Sequence, residues 1–267
     1  MYKKDISQCA LILLVLFQFT ITPSNGALSK DDVTKCITET KATLQKLQTD
    51  TKARFDQIKT RKDYDSKEHL EKKTGSLNAM IQKEKGILST FKQSAIQDNY
   101  NVTACNDSSQ IVDLISKSFG TSASLILAEY KVSADRNYTQ HLFLVQQLAS
   151  NYQQLEKKLN DCQNQSCFEQ IYGDCVDFKT EDDISDEEEK YSNDAEKILS
   201  NYKSKIDNLY QEKSKEVTAY SKALMDCYRS NLNTNITGND TSEGNNGLKI
   251  QPTILIFSFT VLYKILL

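Results

Sequence analysis

This chain of 267 residues is poor in the residues that interrupt helices. Its two prolines are Pro23 and Pro252, and the 228 residues from Ser24 to Gln251 contain none. Only four glycines lie between Leu28 and Thr237. Proline breaks a helix because it lacks the backbone N–H, and its ring clashes with the preceding turn. Many-stranded folds need frequent glycine and proline turns. The composition therefore excludes sandwiches, barrels and doubly wound sheets, and it predicts an all-α protein with long helices.

Histidine is equally scarce, and tryptophan is absent. His69 and His141 are the only two histidines, which is too few for a histidine-based catalytic or metal-binding set. The G-x-S-x-G, H-E-x-x-H, P-loop and dinucleotide-binding motifs are also missing from the sequence. We therefore expect no enzymatic activity, no cofactor and no metal. The net charge is -3 and there is no basic block, so nucleic acid is not an expected partner.

The first 26 residues have the order of a secretory signal peptide. Two lysines precede an apolar run of about eleven residues, and small residues, Ser24 to Gly26, follow. This run is too short for a transmembrane helix, which needs roughly 20 apolar residues. We predict that residues 1–26 are a signal peptide that is cleaved after Gly26.

The last 30 residues resemble a signal for attachment of a glycosylphosphatidylinositol (GPI) anchor. Residues 253–267 are mostly apolar, contain one charged residue, Lys264, and run to the last residue of the chain. Residues 238–252 supply small residues and then a polar spacer of suitable length. Asp240 and Asn239 compete as the attachment residue, with Ser242 as the third candidate. The alternative is an apolar end that only dips into lipid.

Cysteines and glycosylation sequences agree with export. Six cysteines remain after removal of the signal peptide, and an even number in an exported chain predicts three disulfides. They are Cys36, Cys105, Cys162, Cys167, Cys175 and Cys227. N-x-S/T sequences predict N-glycans, for which the favoured positions are Asn101, Asn106, Asn164 and Asn235. Asn137 also begins such a sequence, but it lies in a predicted helix and would have to face solvent.

Residues 27–237 are predicted to form a helical ectodomain. Apolar residues recur there at spacings of three and four, typical of coiled-coil packing. The pattern changes phase between Ile58 and Leu70, which indicates a turn or a stutter near Lys62. We expect a short helix ending near Gly120, then a long one, and a final helix capped at Ser185. The predicted fold is an elongated antiparallel bundle of three or four long helices.

The acidic run from Glu181 to Glu189 surrounds the predicted start of the final helix. Seven of its nine residues are Asp or Glu. Carboxylates are favourable near the positive N-terminal end of a helix. We therefore interpret the run as a solvated helix start, and His141 as a residue on the flank of its helix.

The parity of the cysteines bears on the topology. Four segments that run up, down, up and down would place three cysteines at each end, and these cannot pair within the ends. One continuous rod from Ser29 to Gln97 would bring Cys36 to the Cys162–Cys175 group and Cys105 to Cys227. Spacing alone leaves the four-helix and three-rod arrangements open.

Part of the chain resembles a known family. The shared elements are Cys105, the segment Tyr130-Lys131-Val132-Ser133-Ala134, Tyr152, Cys162, the pair Ala219-Tyr220, Leu224 and Cys227. Together they resemble the secreted helical module of insect proteins similar to the tsetse EP protein, over about Cys105 to Tyr228. The resemblance implies an extracellular setting and no particular biochemical activity.

These features point to a non-enzymatic extracellular glycoprotein. We expect it to be held by a GPI anchor in the outer leaflet of the plasma membrane, where its helical ectodomain displays a binding surface to a partner that the sequence does not identify. The alternative is a secreted carrier that holds a lipid-like apolar ligand within the bundle. Self-association through apolar surface is a third alternative.

Overall fold

Three helical rods lie side by side along most of the molecule. The structure is a computed structural model, and it describes residues 27–105, 109–178 and 180–230. Within these ranges there are five α-helices and one 3-10 turn, and no strand is present. The elements are α1 (Lys30–Gln97), a 3-10 turn (Val102–Ala104), α2 (Ser109–Ala149), α3 (Tyr152–Asp161), α4 (Gln165–Val176) and α5 (Thr180–Ser230). The predicted all-α bundle is confirmed, in its three-rod form.

Helix α1 is continuous for 68 residues, or about 100 Å at 1.5 Å per residue. It starts at a capping box in which Ser29 and Asp32 satisfy each other's backbone N–H groups. It ends at Asp98, and Asn99 follows in the left-handed region at φ 62°, a conformation that asparagine tolerates. No turn interrupts the helix near Lys62, so the two predicted N-terminal segments are one rod.

The polar contacts between rods define their directions. Lys85 pairs with Asp113 and Lys59 with Asp135, so α2 runs antiparallel to α1. Along α1 and α5 the order is the same. Arg54 binds Glu188, Lys62 binds Glu196 and His69 binds Asp207. Helices α1 and α5 are therefore parallel. Helix α2, which lies between them in the sequence, runs in the opposite direction.

The buried positions of the rods repeat every eleven residues. In α1 they include Val33, Leu44, Phe55, Ser66, Leu77 and Leu88, and in α5 they include Tyr191, Tyr202, Lys213 and Leu224. Eleven residues make three turns at 3.67 residues per turn, so this repeat keeps one face inward when the helices coil weakly around each other in the right-handed sense. The phase change in the heptad pattern between Ile58 and Leu70 is a consequence of this longer repeat.

Disulfides close both ends of the bundle. At one end, the base, Cys105 is bonded to Cys227, which ties the α1–α2 connection to the end of α5. At the other end, the tip, Cys36 is bonded to Cys175, which holds α4 against the start of α1. Cys162 is bonded to Cys167 across the turn between α3 and α4. The Cys105–Cys227 bridge is the one that the three-rod arrangement predicts.

Several predicted helix boundaries are wrong. Helix α2 passes through Gly120 without a break. A Cβ atom added at this position would contact no other atom, so glycine is tolerated here but is not required. The break comes instead at Ser150 and Asn151, where α2 gives way to α3. Helix α5 begins at Thr180, so the acidic run lies inside its first turns and Ser185 is not its cap.

Tyrosines form a polar layer in the middle of the bundle. Tyr191 and Tyr202 are 2% exposed, and their hydroxyls donate to the backbone carbonyls of Phe55 and Ser66 in α1, at 3.4 and 3.1 Å. Their rings are in the core, and the hydroxyls end on helix carbonyls and do not reach the surface. Burial raises the pKa of Tyr202 to about 12.

The long-range disulfide at the base should stabilise the protein far more than the short one at the tip. Cys105 and Cys227 are separated by 122 residues, and Cys162 and Cys167 by 5. In the loop-entropy account, replacing both cysteines by serine lowers the free energy of unfolding by about 5 kcal/mol in the first case and about 2 kcal/mol in the second. Urea unfolding at pH 7 measures both. Equal losses would contradict this account.

The hydrogen bond from Tyr138 to Asp56, at 2.6 Å, should make stability sensitive to acid. That bond is the main reason why the pKa of Asp56 is below its usual 3.8. The stabilisation is complete above that value and is lost as the pH falls through the lower pKa of the folded state. Tyr138→Phe should raise the pKa of Asp56 and weaken the pH dependence of unfolding below about pH 4.

The Asp56 titration is measured by NMR, and the change in stability should stay below about 1 kcal/mol because the carboxylate is half exposed. Tyr64→Phe, at a tyrosine that is 65% exposed, is the matched control. A pKa of Asp56 that is the same in Tyr138→Phe as in the wild type would show that Tyr138 is not the cause.

Candidate functional site

Helix α2 carries a second apolar face that points away from the bundle. Leu114, Leu125, Val132 and Phe143 are 61%, 63%, 59% and 56% exposed. At 100° per residue they fall within about 20° of one line along the helix. We define the outer stripe as the exposed positions Leu114, Ser118, Thr121, Leu125, Ala128, Val132, Arg136, Thr139 and Phe143. Arg136 is its one charged residue, so the outer stripe has the composition of a helix-packing surface.

The apolar character of α2 also appears along its length. By length and composition alone, the helical stretch Gln110–Asp161 is apolar enough to cross a membrane, although only 22% of its most apolar window is buried. Its inner face, with Val112, Phe119 and Tyr130, belongs to the core. The high hydropathy therefore comes from two apolar faces on one helix, of which the outer stripe is the unburied one.

A surface groove lies between the end of α2 and the start of α5. Its volume is about 480 Å³. Leu144 and Leu148 contribute apolar walls, while Asp183, Asp186 and Glu187 contribute carboxylates. Leu144 follows Phe143 in sequence but lies 100° further around the helix, so the groove lies beside the end of the outer stripe and not on its line. Lys190 also lines the groove, so its polar wall carries charges of both signs.

A histidine–carboxylate pair is buried beneath this groove. The Nδ1 atom of His141 lies 2.6 Å from Oε1 of Glu187, and the two side chains are 12% and 8% exposed. On the other side of the ring, Nε2 lies 3.6 Å from Asp194. A hydrogen bond from Lys197, with a smaller contribution from His141, lowers the pKa of Asp194. This pairing joins α2 to α5, and it places Glu187 in the interior although its acidic neighbours face water.

A small cavity of about 10 Å³ lies in the tyrosine layer, a volume that accommodates roughly one water molecule. Tyr130 and Asn137 line it, and the Tyr130 hydroxyl and the Asn137 Nδ2 atom have no hydrogen-bond partner in the described part of the protein. Burial, followed by the nearby charge of Asp63, raises the pKa of Tyr130. Because Asn137 is 8% exposed, it does not meet the condition that its glycosylation requires.

Two of the predicted glycosylation sites lie in the described residues, and both are exposed. Asn101 caps the 3-10 turn near the base, and Asn164 caps α4 at the tip. In each cap the side-chain oxygen is the acceptor, which leaves Nδ2, the atom that carries a glycan, outside the bond. Asn106, Asn235, Asn239 and Asp240 lie outside the described residues, as do residues 1–26 and the proposed anchor signal. Glycosylation stays a prediction.

The sequence reasoning missed both the outer stripe and the buried pair. Leu114 and Leu125, like Val132 and Phe143, are eleven residues apart, so a search with that period would have found a second seam on α2. For Glu187, one of many acids in a run, composition gives no reason to expect burial. His141 was placed on the flank of its helix, and only the packing of α5 against α2 identifies its partner.

Comparisons with protein-family models, curated proteins and solved structures find no match for this chain. The resemblance to the insect module is therefore still a prediction.

The buried His141–Glu187 pair should show strong coupling in stability. His141→Leu leaves the carboxylate of Glu187 buried beside Lys190, which lies 3.6 Å away, and should lower the free energy of unfolding by about 3 kcal/mol. Replacing both residues by leucine should restore most of that loss, because no unpaired charge then remains. Urea unfolding at pH 7 supplies the double-mutant cycle.

Glu189→Gln, at an exposed position in the same acidic run, is the control and should change stability by less than about 0.5 kcal/mol. Additive losses in the double variant would contradict the coupling.

Proposed function

We propose that this protein is a non-enzymatic, GPI-anchored extracellular glycoprotein whose helical rod displays a binding surface outside the cell. The observation that carries the proposal is the outer stripe of α2, a long exposed helix face with little charge. Large exposed apolar patches are rare on soluble monomers, and those that occur often mark interaction sites. The chemistry of the surface fits a partner that presents an apolar helix or a similar extended apolar face.

The placement of the chain ends supports an anchored rod. Ser230, at the end of α5, lies beside the Cys105–Cys227 bridge at the base, and the candidate anchor residues Asn239 and Asp240 follow nine and ten residues later. An anchor there would hold the base near the membrane. The tip would then stand about 100 Å away, the length of α1.

The disulfides support an extracellular location. All six cysteines of the predicted ectodomain are paired, and disulfides persist in oxidising compartments but are rare in the cytosol. They lie at the tip and the base, so they lock the ends of a rod whose middle is held by side-chain packing and polar contacts without a covalent cross-link. Such cross-links suit a surface protein that must keep its shape outside the cell.

A carrier of an apolar ligand has less support. The inner faces of the three rods pack against one another in continuous clusters, which include Leu77, Phe119 and Ile206. A ligand between them would have to displace these contacts. The exposed apolar surface lies on the outside of α2, where it can meet another macromolecule without any opening of the bundle.

Treatment of expressing cells with phosphatidylinositol-specific phospholipase C tests the anchor. Cells that express the full chain should release it into the medium on treatment, because the enzyme cleaves the lipid from the glycan. A triple variant, Asn239→Lys, Asp240→Lys and Ser242→Lys, should not be released by the enzyme, since the attachment site requires small residues. Two lysines in the spacer, Asn245→Lys and Asn246→Lys, form the matched control and should leave the release unchanged.

Either of two results would overturn the anchor. One is protein that stays on the treated cells with residues 253–267 still detectable by mass spectrometry. The other is wild-type protein that appears in the medium without treatment and without lipid.

A further inference from the structure

We propose that the outer stripe of α2 pairs with the same stripe of a second copy of this chain, in antiparallel orientation. This inference deepens the proposed function by naming the partner of the exposed surface, and it rests on the function of the stripe as a binding surface but not on the anchor. The evidence is the spacing of the stripe, its charge, and its position along the rod.

The outer stripe is self-complementary when it is read from either end. A two-fold axis between Ala128 and Glu129 relates residues whose numbers add up to 257. It places Leu114 opposite Phe143 of the second copy and Leu125 opposite Val132. The same operation places Ser118 opposite Thr139 and Thr121 opposite Arg136. Every large apolar residue of the stripe thus faces another one, and the small Ala128 lies at the centre, where two helices approach closely. A closed two-fold dimer uses such a self-matching surface.

Charge favours the antiparallel orientation over the parallel one. In a parallel pair Arg136 would face Arg136, and like charges at a helix interface are destabilising. In the antiparallel pair it faces Thr121. Glu129 lies beside the axis, where it faces Ala128 of the second copy and comes close to that copy's Glu129. Its carboxylate already binds Lys205, at 2.7 Å, so each copy brings a neutral ion pair to the axis.

The size of the surface indicates a weak dimer in solution. From Leu114 to Phe143 the stripe is about 44 Å long, and a helix is about 10 Å wide. Two stripes would therefore bury about 900 Å² in total, close to the lower limit of about 1,000 Å² for specific interfaces. Where many such contacts form at once between two surfaces, the overall avidity exceeds the affinity of a single pair.

The association is tested by sedimentation of the purified mature glycoprotein from cells that express the full chain. The wild type should form dimers as its concentration is raised into the micromolar range. Leu125→Lys or Val132→Glu alone should weaken the dimer at least tenfold, because each buries an unpaired charge. An equal mixture of the two variants should regain dimers, since the introduced lysine of one copy then faces the introduced glutamate of the other. Ile96→Lys, at a residue of α1 that is 52% exposed, is the control and should have no effect.

Cross-linking tests the orientation. Ser118→Cys and Thr139→Cys are exposed replacements that face each other only in the antiparallel pair. A mixture of these two variants should form a disulfide-linked dimer under mild oxidation, while each alone should not. Self-linking of Ser118→Cys alone would indicate parallel pairing and overturn the proposal. A wild type that stays monomeric at all concentrations would also overturn it, whether or not phospholipase releases the protein from cells.

Discussion

The eleven-residue repeat of buried side chains is the constraint on which the rest of the structure depends. It keeps one face of each long helix inward without strong supercoiling, so α1 can run for 68 residues beside α5 with constant offset between partners. Phe55 meets Tyr191, and Ser66 meets Tyr202, at the same difference of 136 positions. Because that register is constant, α1 and α5 end together at the base. At the tip, α1 extends beyond the start of α5 and packs against α3 and α4. Cysteines far apart in sequence therefore meet at both ends.

The same repeat explains why the sequence predicts the fold class correctly but places a break in α1 where the helix is continuous. The shortage of proline and glycine is sufficient to predict the all-α class. The cysteine spacing leaves two topologies open, the four-helix arrangement and the three-rod arrangement. The heptad pattern predicts a break near Lys62, because the twelve residues from Ile58 to Leu70 are not a whole number of heptads. The helix is continuous there, since the inward face follows Phe55, Ser66 and Leu77. A buried serine in that series has no apolar signal, so a pattern of hydrophobic residues could not show it.

The candidate site was harder to predict for a different physical reason. An apolar residue on a helix can face the core or the solvent, and only the packing of the other rods decides which. Leu125 and Phe119 are equally apolar in sequence, yet one is 63% exposed and the other 1%. Glu187 shows the converse, since an acid expected in water is buried by its contact with His141. Such assignments depend on three helices at once, which no single segment encodes.

The outer stripe adds nothing to the packing within one chain, and this is what makes its position informative. Its centre near Ala128 lies close to the level of Tyr130, which packs on Tyr202, the partner of Ser66; Ser66 is near the middle of α1. A two-fold axis there would overlap two rods along almost their whole length and place their bases at opposite ends. If each base is held by a lipid anchor, the paired rods would join two membranes about 100 Å apart, the length of α1. A two-fold axis away from the middle of the rods would leave both tips or both bases without a partner, so the central axis gives the greatest overlap of the two rods.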